Sequence, residues 1–185
     1  MLKPHMHPIE FSQLIAALTA AQPKIMLEWG AGGGTKAILE ACPSIEKYFS
    51  VEHDAKWHDV VRAGMDDPRL SLHLVEPTEP EPPAPLIYLQ SGKRNQWRRR
   101  AESDEDLFRN YINFPATLDM AFDTILVDGR ARNFCLKAGH KLLRSGGIMI
   151  LHDAQRAEYQ QTLIELGNPV FLTPWKRGQL CLISR

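Results

Sequence analysis

The sequence predicts an α/β fold: a mostly parallel sheet with helices on both faces, closing in an antiparallel hairpin. Three observations carry this. Short apolar runs alternate with helical periodicities from Lys24 onward. Two of the runs, residues 125–127 and 148–151, are apolar without alternation, as in strands covered on both faces. Finally, residues 170–172 and 180–183 flank a link holding Pro174 and Gly178, far shorter than the roughly dozen residues that a parallel crossover needs. The 185 residues suit one domain, at ~100–200 residues per domain.

Phe11, Leu14, Ile15 and Leu18 recur at helical spacing between Pro8 and Pro23, which predicts a covering helix within residues 1–22. His5 and His7 read as part of a frayed terminus. Lys24-Ile25-Met26-Leu27-Glu28 is a strand ending in an acid, followed by the glycine loop Gly30-Ala31-Gly32-Gly33-Gly34-Thr35 and a helix stopped by Pro43. Tyr48-Phe49-Ser50-Val51-Glu52 repeats the strand-then-acid pattern, and Asp54 caps a helix carrying Trp57, Val60 and Val61 that closes at Gly64. Leu70-Ser71-Leu72-His73-Leu74 alternates apolar with polar, as a strand at a sheet edge does.

Residues 76–121 break the rhythm and read as an insertion or flap over the substrate. Prolines 77, 80, 82, 83 and 85 precede a basic cluster, Lys93, Arg94, Arg98, Arg99 and Arg100, around Trp97. A short helix capped by Ser103 then presents Leu107, Phe108, Tyr111 and Ile112 on one face. Regularity returns with a strand ending at Asp128, a helix through Phe134, Cys135 and Leu142, a strand from Gly146-Gly147 to His152-Asp153, and a helix ending at Gly167.

Lys+Arg 22 against Asp+Glu 22 leaves no whole-molecule field to attract nucleic acid or an anionic membrane, so any basic site is local. No apolar run reaches the ~18 residues of a membrane span, and the first residues lack the pattern of a secretory signal, so a cytoplasmic location is expected. Cys42, Cys135 and Cys181 fit neither a disulfide framework nor paired metal spacing and read as small core residues.

The chemistry concentrates on one rim. In a parallel α/β sheet the C-terminal strand ends share a crevice, so Glu28, Glu52, Asp128 and Asp153 should line it beside the glycine loop. A loop of this kind lets a ligand approach bare backbone and unpaired N–H groups. Carboxylates around it suit a ligand bearing positive charge and hydroxyls. Plainer readings stand beside these: a tight turn for the glycines, a surface acid for Glu52, a helix cap for Asp128, a packed imidazole for His152 and a flap surface for Trp97.

On these residues the chain resembles the class I S-adenosylmethionine-dependent methyltransferases. Glu28-Trp29-Gly30-Ala31-Gly32-Gly33-Gly34-Thr35 is similar to their acid-x-Gly-x-Gly-x-Gly motif, Val51-Glu52 to the acid that bonds the ribose, and Phe122-Asp123-Thr124-Ile125-Leu126-Val127-Asp128 to their fourth motif. Leu142-Leu143-Arg144-Ser145-Gly146-Gly147 looks like their entry to the fifth strand. More narrowly, residues 127–132 and the Trp97-bearing insertion resemble a group of uncharacterised methyltransferase-like proteins. The resemblance implies a Rossmann-like seven-stranded sheet with an antiparallel last strand. It also implies S-adenosyl-L-methionine as cofactor, held by Glu28, Gly30, Ala31, Gly32, Gly34, Thr35, Glu52 and His53. Glu76 falls where such proteins meet the adenine amino group.

Methyl transfer to a hydroxyl also needs a proton acceptor, and Asp128, His152 and Asp153 are the catalytic candidates. Asp128 with Asp153 is similar to the acid pair of the metal-dependent O-methyltransferases, which raises Mg²⁺ as a minor alternative without their usual companion residues. Arg130 and Arg132, with Trp97, are the candidates for holding the acceptor, an anionic small molecule, because guanidinium matches carboxylate or phosphate with two parallel bonds. Three alternatives remain: a non-catalytic binding module on the same fold, RNA methylation through residues 93–100, and a nicotinamide oxidoreductase. The last would want glycine where Thr35 stands and would set Glu28 beside a pyrophosphate.

Overall fold

A computed structural model describes residues 2–83, 92–174 and 178–185. Met1 and Pro85 of the proline run lie outside the described residues. The elements run α1 (Pro8–Ala21), β1 (Ile25–Trp29), α2 (Gly33–Ala41), β2 (Lys47–Glu52), α3 (Ala55–Gly64), β3 (Leu70–Leu74), α4 (Gly92–Ser103), α5 (Arg109–Asn113), β4 (Phe122–Val127), α6 (Arg132–Leu142), β5 (Leu143–Leu151), α7 (Ala157–Leu166), β6 (Val170–Phe171) and β7 (Cys181–Ser184). Single 3₁₀ turns, Glu105–Phe108 and Phe114–Leu118, flank α5.

The seven strands form one sheet in the order β3-β2-β1-β4-β5-β7-β6. All pairs from β3 to β5 are parallel, whereas β7 runs antiparallel to both β5 and β6. The expected Rossmann-like sheet, the edge position of β3 and the closing hairpin are all present. Alternate residues divide between two cores, as the two-residue period of a strand requires. Leu27, Val127 and Leu151 face a core built with α4–α7, while Met26, Leu126 and Ile150 face one built with α1 and α2. Both faces being covered explains why the central strands read as unbroken apolar runs. The three cysteines are free and buried, as expected.

Residues 76–121 depart furthest from expectation. The basic cluster is itself a helix, α4, and Ser103 ends it rather than capping the next one; its hydroxyl donates back to the Arg99 carbonyl at 3.2 Å. The following turn starts after Asp104. Helix α4 carries little apolar surface, and only Trp97 and Ala101 are buried. Ion pairs flank these two residues: Arg94 and Arg98 meet Glu81, and Arg100 meets Glu79. Trp97 is 4% exposed, packs edge-on against Phe108 at 5.6 Å and donates its indole N–H to the Glu79 carbonyl. Leu107, Phe108, Tyr111 and Ile112 join the same core, so the stretch expected as a flap is built into one face of the molecule. The first residues also have a place: a Cβ on Gly33 would lie 2.1 Å from the Lys3 carbonyl carbon, and His5 packs near Trp57 with ring centroids 5.9 Å apart.

Candidate functional site

At the end of β1 the chain turns through Gly30, whose φ of +100° disfavours a side chain. A Cβ there would also lie 2.6 Å from the Gly129 nitrogen. The loops after β1 and β4 therefore meet backbone to backbone, and a cleft of about 600 Å³ opens above them. All four rim carboxylates, Glu28, Glu52, Asp128 and Asp153, line it.

On the β1–β2 side the acids are held by hydroxyls and backbone N–H groups, with the His53 ring Nδ1 2.8 Å from Glu52 Oε1. Glu28 Oε2 accepts from Thr35 Oγ1 at 2.6 Å and from Ser50 Oγ at 2.8 Å. Burial pushes the Glu28 carboxyl up to about 8 even though both hydroxyls favour its ionised form. Thr35 in turn accepts the Gly32 N–H at 2.8 Å and lies beneath the loop, out of the cleft. Glu52 Oε2 accepts from the Ala31 N–H at 3.1 Å, and its Oε1 accepts from the N–H groups of His53 and Asp54 at 2.7 and 2.8 Å. Each oxygen has a fixed direction before any ligand arrives. The His53 ring rests against Phe108 and Tyr111, and Gly30, Ala31, Gly32 and Gly34 line the floor. Trp57 forms a wall and ties α3 to the loop by donating to the Ala31 carbonyl at 2.7 Å.

On the β4–β5 side the acids are held by cations. Asp128 Oδ1 lies 2.6 Å from His152 Nδ1, and His152 Nε2 lies 3.2 Å from Glu10 Oε1. Burial alone would depress the imidazole, but the bonds to Asp128 and Glu10 outweigh it and lift His152 to about 10. Asp128 is correspondingly held below the ordinary range: burial opposes this, and the hydrogen bond from His152 prevails. Arg132 is buried with its donors committed, Nε to the Gly129 carbonyl, Nη1 to that of His152 and Nη2 to that of Asp128. Asp153 is paired with both Arg132 and Arg156. With its remaining N–H groups on Asp153 and Asp128 at 3.5 and 3.4 Å, Arg132 is a clamp joining the tips of β4 and β5, with no N–H left over for an acceptor.

Of the residues expected to hold an acceptor, Arg130 lines the cleft, Arg132 lines it as this clamp, and Trp97 lies in the core. Glu76 is exposed outside the cleft. Reasoning from sequence missed Glu10 and Glu81, and named Arg94 and Arg98 only within the basic cluster of the RNA alternative, not as cleft residues. Glu10 stands four and eight residues before Leu14 and Leu18, a carboxylate on the buried stripe of α1, and Arg94 and Arg98 stand four apart on one helix face. The Mg²⁺ alternative finds poor support in the donor set. Asp128 and Asp153 already face cations, and no group of three His, Cys, Asp or Glu among the described residues could hold a metal ion.

The sequence matches no family model and no curated protein. Its structure, however, superposes on a methyltransferase-like protein from Silicibacter pomeroyi over 99% of this chain and 89% of that one, with TM-score 0.62 at 20% identity. A methyltransferase from Geobacter sulfurreducens matches over 98% of this chain and 82% of that one, with TM-score 0.62 at 13% identity. The chain has the class I methyltransferase fold. A 16S rRNA methyltransferase from T. thermophilus, solved with AdoMet and guanosine, shares it over 97% of this chain but 43% of its own length, with TM-score 0.62 at 14% identity. Proteins of this methyltransferase fold therefore differ in what they carry beyond the shared sheet. No helix among the described residues is long and apolar enough to cross a membrane.

Proposed function

We propose that this protein transfers the methyl group of S-adenosylmethionine to a small-molecule acceptor bearing an anionic group. The observation that carries the reading is the β1–β2 side of the cleft, where two buried acids flank bare glycine backbone and no lysine or arginine pairs with them among the described residues, the His53 ring alone lying against Glu52 at 2.8 Å. Glu52, fixed by three backbone N–H groups, keeps one acceptor site, on Oε2, for a ribose hydroxyl. Glu28 stands beneath the loop, where a ligand ammonium would favour its ionised form. Gly30, Ala31, Gly32 and Gly34 would admit the methionine portion against the backbone, Thr35 orients Glu28, and His53 would flank the adenine.

When bound, S-adenosylmethionine supplies an electrophilic methyl on a sulfonium. Held by Glu52 and the glycine loop, it would give that methyl to an acceptor's electron pair with the thioether as leaving group. For an in-line displacement of this kind the protein's contribution is alignment, worth ~7–11 kcal/mol in well-oriented systems. A hydroxyl acceptor must also lose its proton. His152 is a cation at neutral pH and cannot take it, which leaves the carboxylates of Asp128 and Asp153 as acceptors at the cleft. His152 instead holds Asp128 in one orientation.

Titration of S-adenosylmethionine into the folded protein, followed by calorimetry, tests the reading. Micromolar binding of S-adenosylmethionine with none of NADH is expected; no heat from S-adenosylmethionine overturns it. The pairing of both β4–β5 acids with cations favours one second reading, a binding module that keeps the cofactor without catalysis. A panel of methyl acceptors, with Asp128→Asn as control, separates the two.

A further inference from the structure

Elsewhere on the cleft lining, three guanidiniums converge on one carboxylate. Arg94 Nε and Arg98 Nε each lie 2.6 Å from Glu81 Oε1, and Arg130 Nη2 lies 3.8 Å from Glu81 Oε2. All four residues line the cleft. The Glu81 side chain is 14% exposed. Three positive charges against one negative leave a surplus of two. Glu102, the other acid near Arg130, accepts the backbone N–H of Arg132 at 2.9 Å and does not pair with the cluster. A guanidinium carries five N–H donors. Among the described residues Arg94 and Arg98 each spend one of them on Glu81, and Arg130 forms only the longer ion pair.

A surplus of this kind at a partly desolvated site is costly unless an anion joins it. Desolvation already holds Arg130 below its ordinary range, against the attraction of Glu81. We infer that Arg94, Arg98 and Arg130 form the anion subsite for the acceptor, that it takes a doubly charged oxyanion, a phosphate monoester or a dicarboxylate, and that Glu81 is an internal stand-in which this group displaces. The inference deepens the methyltransferase reading, on which it rests for the word acceptor; the subsite itself rests on the arginines alone. Two carboxylate oxygens at one end of Glu81 already occupy the place of two oxygens of the ligand. Releasing Glu81 exchanges one negative charge for two and halves the surplus. The sign of the site also fits its position. A cationic donor is drawn to the β1–β2 acids and an anionic acceptor to the arginines, so the two share one cleft without competing for the same groups.

The test is calorimetry on the full chain with two probes, inorganic phosphate and succinate, against wild type, Glu81→Gln and Arg94→Gln/Arg98→Gln. Both arginines are half-buried surface groups, so the double variant should stay folded, which far-UV circular dichroism checks. A charge-assisted contact at such a site is worth about tenfold in affinity. Glu81→Gln should therefore bind at least one probe about tenfold more tightly than wild type, and the arginine variant about tenfold more weakly. The tighter probe distinguishes phosphate from carboxylate. Equal affinities in all three proteins overturn the subsite. Binding of a single-stranded RNA that needs the same arginines and falls steeply with salt, with neither small anion bound, overturns it in favour of a polyanion. S-adenosylmethionine titrated into the same wild-type sample keeps the two readings apart. Anion binding without cofactor binding ends the methyltransferase reading and leaves the subsite standing, and the converse ends only the subsite.

Discussion

On the β1–β2 side of the cleft Glu28 and Glu52 are held by hydroxyls and backbone N–H groups, whereas on the β4–β5 side Asp128 and Asp153 are paired with His152, Arg132 and Arg156. The residue types at the strand ends are the same, and their electrostatic fates are opposite. Neutral donors orient a carboxylate without cancelling its charge, while a cation in contact cancels it. The difference teaches that a row of acids read from strand ends is not yet a field: only the first pair is free of lysine and arginine, and of that pair Glu28, held up to about 8 by burial, gains its charge when a ligand cation arrives.

The largest effect that would sharpen this comparison is structural. Trp97→Ala should cost about 3–5 kcal/mol of stability in urea unfolding, the usual range for emptying a core site of this size. Unchanged stability with weakened acceptor binding would return Trp97 to the cleft and blur the division. Next, Glu52→Ala should weaken S-adenosylmethionine binding at least tenfold through a lost charged hydrogen bond, while Glu76→Ala leaves it unchanged. Equal effects would break the alignment of the β2 end with ribose recognition. Gly32→Val tests the same side: a Cβ there meets only Trp57 at 3.7 Å, so the fold should survive while calorimetry shows no cofactor binding.

Protons give a smaller and graded effect. Glu28 titrates at about 8 in the folded state against 4.5 ordinarily, and His152 at about 10 against 6.5. The stabilising contribution of His152 is complete below pH 6.5 and is lost as pH rises through 10. The penalty at Glu28 grows from 4.5 and is complete by 8. Between pH 6.5 and 8 the folded chain therefore holds two protons that the unfolded chain has released, and each lowers stability by about 1.4 kcal/mol per pH unit. The melting temperature should fall across that window, and about half as steeply in Glu28→Gln; an unaltered slope would mean that Glu28 is ionised when folded. The smallest effect belongs to Glu10→Gln. By NMR titration of the imidazole, His152 should ionise below 10 yet above its value in Asp128→Asn, because the Asp128 contact is shorter.

The donor side was legible in the sequence because its determinants are local. A strand, an acid and a glycine loop are contiguous, and the β2 acid repeats the pattern one unit later. The arginine side was not. Helix α4 has no apolar stripe to betray it, and its partners Glu79 and Glu81 stand 13 to 21 residues earlier in the chain. Nor could sequence separate Arg130 from Arg132. Two residues apart, one opens onto the cleft and the other is buried by the carbonyls of two strand tips. The hairpin was predicted from its short link, but the insertion of β7 between β5 and β6 depends on which edge it finds.

That insertion has a consequence during synthesis. Strand β6 has β7 as its sole partner among the described residues, and the outer edge of β5 is covered by β7 alone. Until Cys181–Ser184 leaves the ribosome, the edge of a central apolar strand stays open to pairing with other chains. A nascent molecule would depend on chaperones for just that interval, and ribosome stalling before residue 181 should leave an aggregation-prone product although every residue of the cleft has already been made.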